Sequence, residues 1–361
     1  MIILKVIITA GGTGGHIYPA LGVYEKIMSE KGNECLYIGT TNRMESEIVP
    51  KMNIPYEGVE IYGLGKNIFK NIKNIGCIIK SYKKCLKIMD EFKPDVVLGF
   101  GGYVSFPVLY AAKKRKIKTA FHEQNYIPGK TNKLLSKFVN KIFISFDDSK
   151  KYFSKKDVVY TGNPSEERAR NIEKINKTSL GFDLNKKLII IVMGSLGSSV
   201  INEKLCDFLR NFNDSNKEIL FITGKSSYKD LSNNLVVGDN IKIVPYLENL
   251  PGLMKSADLI ISRAGAGSIS EIKATKVPAI LIPSPYVANN HQYYNALDMQ
   301  NKNLSLILEE KDLSKENLNK LIDKIFDENF NKNIKENLNN CESSNALEII
   351  SKELKDLIKR G

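Results

Sequence analysis

The stretch ILKVIITAGGTGGH, residues 3–16, decides the fold of this 361-residue chain. Its run of β-branched residues ends at Ala10, glycine fills four of the next five positions, and His16 closes the turn. Apolar residues then recur at helical spacing, at Ile17, Ala20, Leu21, Tyr24 and Ile27. A strand, a glycine turn and a helix in this order place backbone N–H groups and a helix N-terminus where they can bind an anion.

Neither common nucleotide-binding fingerprint fits this glycine turn. Counting from Gly12 and Gly14, the third glycine of a dinucleotide loop would fall at Ile17. The later Gly224-Lys225-Ser226 resembles the end of a P-loop, but Ile219 stands where the opening glycine belongs. Glycines also serve tight turns with no ligand. A histidine at the exit favours a functional loop, because a buried residue there would more naturally be aliphatic.

The composition is ordinary for a soluble globular protein. Hydrophobic residues make up 42% and charged residues 26% of the chain, and its length allows two domains with separate cores. The five cysteines are scattered without a C-x-x-C pair, which indicates reduced thiols. Lys5 interrupts the first apolar run, unlike in a signal peptide. No stretch reaches the ~18 apolar residues of a spanning helix, so we expect a soluble or peripheral protein.

The net charge of +13 is concentrated in the first half of the chain. Residues 1–162 carry 26 basic and 14 acidic side chains, whereas residues 163–361 carry 27 and 26. A one-sided excess favours an anionic partner, either nucleic acid or a phospholipid surface. A general bias towards lysine is the alternative explanation.

The first half alternates short strands with helical patterns, which is typical of a doubly wound parallel sheet. After the first strand, the predicted strands are residues 35–38, 96–100, 119–122 and 141–145. Asn163-Pro164 then marks a boundary. We therefore expect one domain over residues 1–162 and a second over residues 163–344.

The second half repeats the pattern. Strands are predicted at residues 188–193, 219–222, 241–244, 259–261 and 279–282. The small-residue loop Arg263–Ser268 precedes a helix that carries Glu271, and residues 345–359 form an amphipathic helix with the apolar side needed to pack back on the first domain. Two similar α/β domains indicate an active site in a cleft between them.

Three histidines and one acid are candidate functional residues. His16, His122 and His291 each lie at a predicted strand end or in a loop, which favours function over structure. No helical pair or nearby ligand supports a three-histidine metal site. Glu271 has two interpretations: a first-turn carboxylate favoured by the helix dipole, or an acceptor for a ribose diol beside a nucleotide loop.

A lysine-rich segment, residues 66–87, has no acidic residue and interleaves apolar side chains. One interpretation is a solvated helix over the core. The apolar residues are too many for one narrow helical stripe, which favours a membrane-surface patch over a nucleic-acid site. The patch predicted here consists of Lys66, Ile68, Phe69, Lys70, Lys73, Ile75, Ile79 and Lys80.

The motifs as a set resemble glycosyltransferase family 28, and within it the bacterial transferases that convert lipid I to lipid II. The resemblance runs nearly end to end. The segments that carry it are GGTGGHIYPAL (11–21), Arg43-Met44-Glu45, KPDVVLGFGGYVSFP (93–107), HEQN (122–125), TGNP (161–164), SRAGAGSISEI (262–272) and QYYNA (292–296).

This resemblance implies a GT-B fold, in which two Rossmann-like domains with parallel sheets face each other across a cleft. The acceptor and the membrane would meet residues 1–162, and the UDP-sugar would bind residues 163–344. The implied reaction is an inverting transfer of N-acetylglucosamine from UDP-N-acetylglucosamine to the C4 hydroxyl of the muramoyl sugar of undecaprenyl-linked lipid I. The resemblance implies no cofactor and no catalytic metal.

The resemblance also implies a place and partners in cell-wall biogenesis. The expected location is the cytoplasmic face of the plasma membrane, as a peripheral protein on an anionic surface. A cell-wall synthesis complex is an expected partner, and nucleic acid is not.

Donor contacts carry over position by position. From the first domain they are Thr13, Gly14, Gly15 and Asn125; from the second they are Ser195, Leu247, Ala266, Gly267, Ser268, Ile269, Ser270, Glu271 and Gln292. The resemblance implies that the main chain near Leu247 contacts the uracil, that Glu271 contacts the ribose and that Gln292 contacts the sugar hydroxyls.

Two positions depart from the family pattern. Where the family often has arginine after Asn-Pro, this chain has Ser165-Glu166-Glu167, with Arg168 as a candidate substitute. Leu196 replaces a glutamine of the family's serine loop, which removes a polar contact.

The catalytic base and the acceptor remain open at this stage. His16 is the candidate base because its ordinary pKa lies near neutrality, and Glu123 is the alternative. Another lipid acceptor such as diacylglycerol would fit the same fold. A nicotinamide dehydrogenase is disfavoured by the missing third glycine, and a non-catalytic membrane-binding module would need neither His16 nor a donor.

Overall fold

The computed structural model describes residues 3–63, 68–153, 157–194 and 199–359, with the backbone alone described for residues 68–73 and 199–200. By its internal contacts the chain divides into two compact units. Unit 1 comprises Met1–Ser165 and Ser344–Gly361, and unit 2 comprises Glu166–Ser343.

Unit 1 is built on a fully parallel sheet. Its strands are β1 (Lys5–Ala10), β2 (Glu34–Thr40), β3 (Tyr56–Val59), β4 (Val96–Gly101), β5 (Lys118–Glu123), β6 (Lys141–Ile144) and β7 (Asp157–Tyr160). Its helices are α1 (Gly14–Met28), α2 (Met44–Lys51), α3 (Ile68–Phe92), α4 (Ser105–Lys114) and α5 (Lys130–Leu135). The strand order β3-β2-β1-β4-β5-β6-β7 reverses direction between β1 and β4.

Unit 2 begins with α6 (Pro164–Asn171), whose first two residues belong to unit 1, and has its own parallel sheet. The strands are β8 (Lys187–Val192), β9 (Lys217–Ile222), β10 (Ile241–Val244), β11 (Leu259–Ser262), β12 (Ala279–Leu281) and β13 (Ser305–Ile307). The helices are α7 (Ser199–Arg210), α8 (Lys225–Asn234), α9 (Leu250–Met254), α10 (Ala266–Thr275), α11 (His291–Asn301), α12 (Lys315–Phe326) and α13 (Glu328–Asn340). The order β10-β9-β8-β11-β12-β13 is that of a Rossmann sheet.

The apolar strands explain why both sheets are parallel and covered on two faces. The β8 sequence KLIIIV is buried from Leu188 to Ile191, and β4 is buried along its whole length. Strands buried on both faces read as continuous hydrophobic runs rather than as alternating patterns. The predicted doubly wound α/β class is therefore confirmed in each unit.

The last helix, α14 (Ala346–Lys359), returns to unit 1. Its residues Ala346, Ile350, Leu354 and Leu357 join the core cluster that contains Ile17 and Leu21 of α1. An ion pair of Lys355 with Glu30, at 2.6 Å, borders this contact. Burial of the amphipathic face of α14 on α1 therefore completes unit 1.

The boundary between the units falls between Ser165 and Glu166, three residues after the predicted one. Contacts of α6 within unit 2 give the physical reason. Glu166 forms an ion pair with Lys273 of α10, and the Lys255 ammonium donates to the carbonyls of Arg170 and Ile172. These bonds fix both ends of α6 on unit 2.

Candidate active site

The glycine turn after β1 lies at the switch point of the first sheet, where ligands of open α/β sheets bind. Gly12 has a φ of +93°, a conformation that L side chains rarely adopt, and Thr13 leads into α1 with extended dihedrals. The Thr13 side chain does not cap the helix. The first N–H groups of α1 at Gly14 and Gly15 have no intrahelical acceptor, as in any helix, and suit an anion.

His16 lies in the first turn of α1 and is oriented by the loop itself. Its Nδ1 is 3.0 Å from the Gly11 carbonyl oxygen, which can only accept, so that Nδ1 carries the hydrogen. This tautomer places the ring's lone pair on Nε2. A Cβ at Gly101 would lie 2.9 Å from His16 Cδ2, and one at Gly102 would lie 2.4 Å from the Gly11 oxygen. Gly101 at the end of β4 and Gly102 after it therefore leave room for the histidine and its acceptor.

Glu123, the alternative base, is enclosed. Its side chain is 1% exposed. One oxygen accepts from the Asn125 backbone N–H at 2.9 Å and from Asn125 Nδ2; the other accepts from the Gly129 N–H at 3.0 Å and from Asn132 Nδ2 at 2.8 Å. These bonds position the loop that carries Asn125, and Asn125 itself is half-buried. The geometry therefore favours a structural role for Glu123 and disfavours proton transfer.

The expectation that all three histidines lie at functional positions is wrong for His122. This side chain is fully buried, and burial lowers its pKa to about 4. Nε2 is 2.9 Å from the Gly162 carbonyl oxygen, and Nδ1 is 3.2 Å from Gln124 Nε2. Both ring nitrogens therefore have partners within unit 1, and Nε2 holds the end of β5 to residue 162. His291 begins α11 with Nδ1 2.9 Å from the Ala288 carbonyl oxygen.

The second small-residue turn occupies the switch point of the unit 2 sheet. Gly265 is the N-cap residue of α10, and a Cβ at Gly265 or Gly267 would meet no heavy atom of the described residues within 4 Å. Packing within that part of the chain therefore does not require either glycine, and its residues leave the space over the helix N-terminus open. The turn is held from behind, because Arg263 pairs with Glu310 at 2.7 Å and Asn295 donates to the Ala264 carbonyl.

Within α10, the predicted donor contacts divide into two groups. Ala266, Ile269 and Ser270 are buried, and the Ser270 hydroxyl donates to the Ala266 carbonyl at 2.7 Å. Ile269 belongs to the unit 2 core. Gly267 and Ser268 are half-buried at the first turn. Because their side chains are buried, Ile269 and Ser270 can contribute to ligand binding only through the helix that they form.

Glu271 is the sixth residue of α10, and the first turn of that helix has no acid. The interpretation as a first-turn carboxylate favoured by the dipole is therefore wrong. The side chain is half-buried, and burial raises the pKa of its carboxyl to about 7. Within the described ranges this carboxyl group forms no hydrogen bond or ion pair, and a buried carboxyl group with a raised pKa is typical of a functional site.

The remaining predicted donor residues are placed as follows. Leu247 comes shortly after the carboxyl end of β10, with its side chain packed against the unit 2 core. Gln292 is half-buried at the start of α11, where its Oε1 accepts from the Ser284 N–H at 2.9 Å. This bond orients the amide so that Nε2 is the group that can donate. Ser195, and Leu196 beside it, lie outside the described residues.

Glu166, which follows Asn163-Pro164-Ser165, forms a buried ion pair with Lys273. Glu166 is 2% exposed and lies 3.0 Å from Lys273 Nζ. A buried ion pair is costly to break, because removal of one partner leaves an uncompensated charge. Arg168 is half-buried on the same helix.

The basic apolar patch is described in part. Ile75 and Ile79 of α3 are 49% and 50% exposed, and Lys80 is exposed. Tyr110 of the neighbouring α4 is 43% exposed, with its ring 5.5 Å from that of Tyr82. Lys66 lies outside the described residues, and for Ile68, Phe69, Lys70 and Lys73 the structure gives only a helical backbone.

The described ranges contain neither a membrane-spanning helix nor a cluster of metal-binding side chains. No helix there is long and apolar enough to cross a membrane. Nor do three or more histidine, cysteine, aspartate or glutamate side chains come together in those ranges as a metal-binding group.

Two Rossmann-like units, each with a small-residue turn opening a helix at the sheet's switch point, define a GT-B protein of the nucleotide-sugar type. The chain belongs to glycosyltransferase family 28. The N-terminal domain of that family matches residues 6–144, and its C-terminal domain matches residues 188–359.

Two relatives of this chain, each 41% identical to it, carry the same name. The chain is 41% identical over 329 residues to a protein of Bacillus subtilis (strain 168), with 89% of this chain and 90% of that protein covered. A protein of Caldanaerobacter subterraneus subsp. tengcongensis has the same identity and coverage. Each is named UDP-N-acetylglucosamine--N-acetylmuramyl-(pentapeptide) pyrophosphoryl-undecaprenol N-acetylglucosamine transferase.

Solved structures agree with the fold. The crystal structure of Acinetobacter baumannii MurG is 26% identical, with a TM-score of 0.78, and covers 97% of this chain and 99% of that one. An S. aureus MnaA–UDP structure at 16% identity has a TM-score of 0.71, with 98% and 96% covered, and bears on the fold alone.

The raised pKa of Glu271 predicts a stabilising substitution. Below about pH 4.5 the carboxyl is neutral in both the folded and the unfolded chain; above about pH 7 it is charged in both, and burial penalises the charge. We expect Glu271→Gln to stabilise the ligand-free protein by an amount that grows between pH 4.5 and 7 and is constant above. A shift of this size corresponds to up to about 3 kcal/mol.

Thermal unfolding of both proteins from pH 4.5 to 8.5 measures this difference. The exposed Glu328→Gln on α13 is the matched control and should show no such trend. A difference in Tm between Glu271→Gln and the wild type that does not change with pH would contradict the prediction.

Proposed function

We propose that this protein transfers N-acetylglucosamine from UDP-N-acetylglucosamine to the C4 hydroxyl of the muramoyl sugar of undecaprenyl-linked lipid I, giving lipid II. The observation that carries the proposal is the chemical difference between the two turns, one with His16 at its exit and the other with Glu271 behind it. The names of relatives about 40% identical over 89% of the chain support it.

In this proposal unit 2 binds the donor. The N-terminus of α10, open above Gly265 and Gly267, binds the diphosphate through backbone N–H groups. The Glu271 carboxylate accepts from the ribose hydroxyls, the main chain near Leu247 contacts the uracil, and Gln292 Nε2 donates to a sugar hydroxyl. Ser195 completes the set on the unit 2 side.

Unit 1 supplies the acceptor side and the base. Thr13, Gly14, Gly15 and Asn125 contact the donor from this side. The C4 oxygen of the muramoyl sugar attacks the anomeric carbon, a new C–O bond forms with inversion, and the bond to the UDP oxygen breaks. The hydroxyl proton passes to His16 Nε2, and UDP leaves with the electron pair of the broken bond.

The hydrogen bond of His16 makes it the better base. When Nε2 takes the proton, the resulting imidazolium still donates from Nδ1 to the Gly11 carbonyl, and a charged donor strengthens that bond. Glu123 already accepts four hydrogen bonds in a buried position. Backbone N–H groups at the helix N-termini would stabilise the negative charge that develops on the leaving diphosphate.

The protein is further proposed to act as a peripheral protein on the cytoplasmic face of the plasma membrane, in contact with anionic lipid and with a cell-wall synthesis complex. The exposed Ile75, Ile79 and Lys80 support the membrane contact. An apolar and basic helix face of this kind binds lipid headgroups and the acyl boundary together.

A transfer assay with defined lipid acceptors tests the reaction. We expect product from UDP-N-acetylglucosamine with a lipid I analogue, at the same rate with and without a metal chelator. If diacylglycerol were the only acceptor to give product, it would take the place of lipid I in this proposal. Binding of NADH without binding of UDP would refute the transferase reading altogether.

Substitution of His16 tests the base. We expect His16→Ala to lower kcat by roughly 10²- to 10⁴-fold, the usual contribution of general base catalysis, with near-normal UDP binding by calorimetry. His16→Asn keeps a donor towards Gly11 and cannot take the proton, so it should be as slow. A wild-type rate in either variant would exclude His16 as the base.

Charge reversal tests the membrane patch. We expect Lys70, Lys73 and Lys80 together changed to glutamate to weaken binding to anionic vesicles at least about a hundredfold, since each lysine contributes about 1 kcal/mol. Reversal of the exposed Lys229, Lys320 and Lys332 of unit 2 changes the net charge equally and should have little effect. Equal losses in the two triple variants would mean that the patch has no special role.

A further inference from the structure

Glu45 is a fully buried carboxylate near the start of α2, and it lies directly beneath the first glycine turn. No lysine or arginine forms an ion pair with it in the ranges that the structure describes. Its Oε1 accepts from the Thr40 N–H at 3.0 Å and the Thr40 hydroxyl at 2.7 Å, and its Oε2 accepts from the Gly12 N–H at 3.0 Å. Three donors around the two oxygens suit an ionised carboxylate.

The surrounding glycines leave space for this carboxylate. A Cβ at Gly11 would lie 2.4 Å from Glu45 Oε1, and one at Gly39 would lie 2.7 Å from Glu45 Cγ. Neither distance is compatible with a side chain unless Glu45 moves, and at Gly39 the Tyr56 hydroxyl oxygen, 2.4 Å from the added Cβ, would have to move as well. The Glu45 side chain therefore requires glycine at position 11, whether or not a ligand also requires it.

One peptide group connects Glu45 to His16. The Gly12 N–H that donates to Glu45 and the Gly11 C=O that faces His16 Nδ1, at 3.0 Å, belong to the same peptide unit. Hydrogen bonds in such a chain polarise one another. A carboxylate on the N–H side makes the carbonyl a stronger acceptor for the Nδ1–H, most of all when the ring is charged.

We propose that Glu45 is a positioning residue for His16, which acts through the Gly11–Gly12 peptide and stabilises the imidazolium. The role corresponds to that of a carboxylate bonded to a catalytic histidine, with a peptide group placed between the two. The inference rests on the proposed function of His16 as the base. Glu45 touches neither the ring nor any reacting atom.

Other titratable groups at this corner do not supply the same charge. The Tyr37 hydroxyl donates to the Ala10 carbonyl at 3.2 Å, and the Tyr56 hydroxyl donates to the Thr40 carbonyl. Burial, and then the charge of Glu45, raise the pKa of both phenols well above the usual range. Both tyrosines are therefore neutral near pH 7, and their hydroxyls serve as hydrogen-bond donors.

Glu45→Gln tests the proposal, because it keeps the shape and removes the charge. We expect the pKa of His16, followed by NMR of the imidazole resonances, to fall by about one unit, since an opposite charge nearby favours the charged ring. The acidic limb of the kcat/KM profile should move by the same amount, and kcat should fall about tenfold or more. UDP affinity should be unchanged. The exposed Glu47→Gln on the same helix is the control.

The outcomes separate this inference from the proposed function. An unchanged His16 pKa in folded Glu45→Gln would overturn the inference, whatever the turnover. A lower pKa with normal turnover would keep the coupling and remove His16 as the base. Should Glu45→Gln not fold, Glu45→Asp retains the charge, and we expect it to retain the His16 pKa. In the wild type, nitrogen shifts showing a neutral His16 with its hydrogen on Nε2 would also overturn the inference.

Discussion

The close approach of the turns after β1 and β4 is the constraint on which the first site depends. The Gly11 carbonyl lies where a Cβ of residue 102 would be, and the His16 ring covers Gly101. Two positive φ angles, +109° at Gly101 and +83° at Gly102, make the approach possible. Because the His16 ring packs on Gly101 and its Nδ1 is bonded to the Gly11 carbonyl, the position of His16 follows from contacts within unit 1.

The second small-residue turn uses glycine for the opposite reason. Among the described residues, no heavy atom lies within 4 Å of a Cβ added at Gly265 or Gly267, so packing within those residues gives no cause for glycine at either position. The back of the turn is held by Arg263 and Asn295. Glycine thus permits a close approach of two turns in unit 1, whereas in unit 2 the described residues leave space beside it.

The sequence was sufficient for the fold class, because long buried strands such as β4 and β8 read as continuous apolar runs. It did not reveal β3 and β13. These strands are four and three residues long, and several of their side chains are only half-buried, so neither length nor hydrophobicity marks them. Their formation depends on pairing with β2 and β12, and a local sequence pattern does not reveal that pairing.

The roles of the candidate residues could not be separated from the sequence alone. His122 and Glu123 end a strand, as functional residues often do, yet in the structure they hold Gly162 and the loop at Asn125. Only three-dimensional contacts separate the two cases. Glu45 stands 33 positions from Gly12, and no periodicity predicts that its carboxylate reaches that N–H. The signal in the sequence was the excess of glycines, since Gly11 and Gly39 make room for the acid.

The return of α14 has a consequence for the order in which the chain can fold. Unit 2 is continuous in sequence, so all of it has been synthesised by the time Ser343 is added. Unit 1 is divided, and the surface of α1 that contacts α14 stays uncovered until residues 346–357 have been synthesised. A growing chain therefore presents this apolar surface throughout the synthesis of unit 2, and apolar surface exposed during folding favours aggregation.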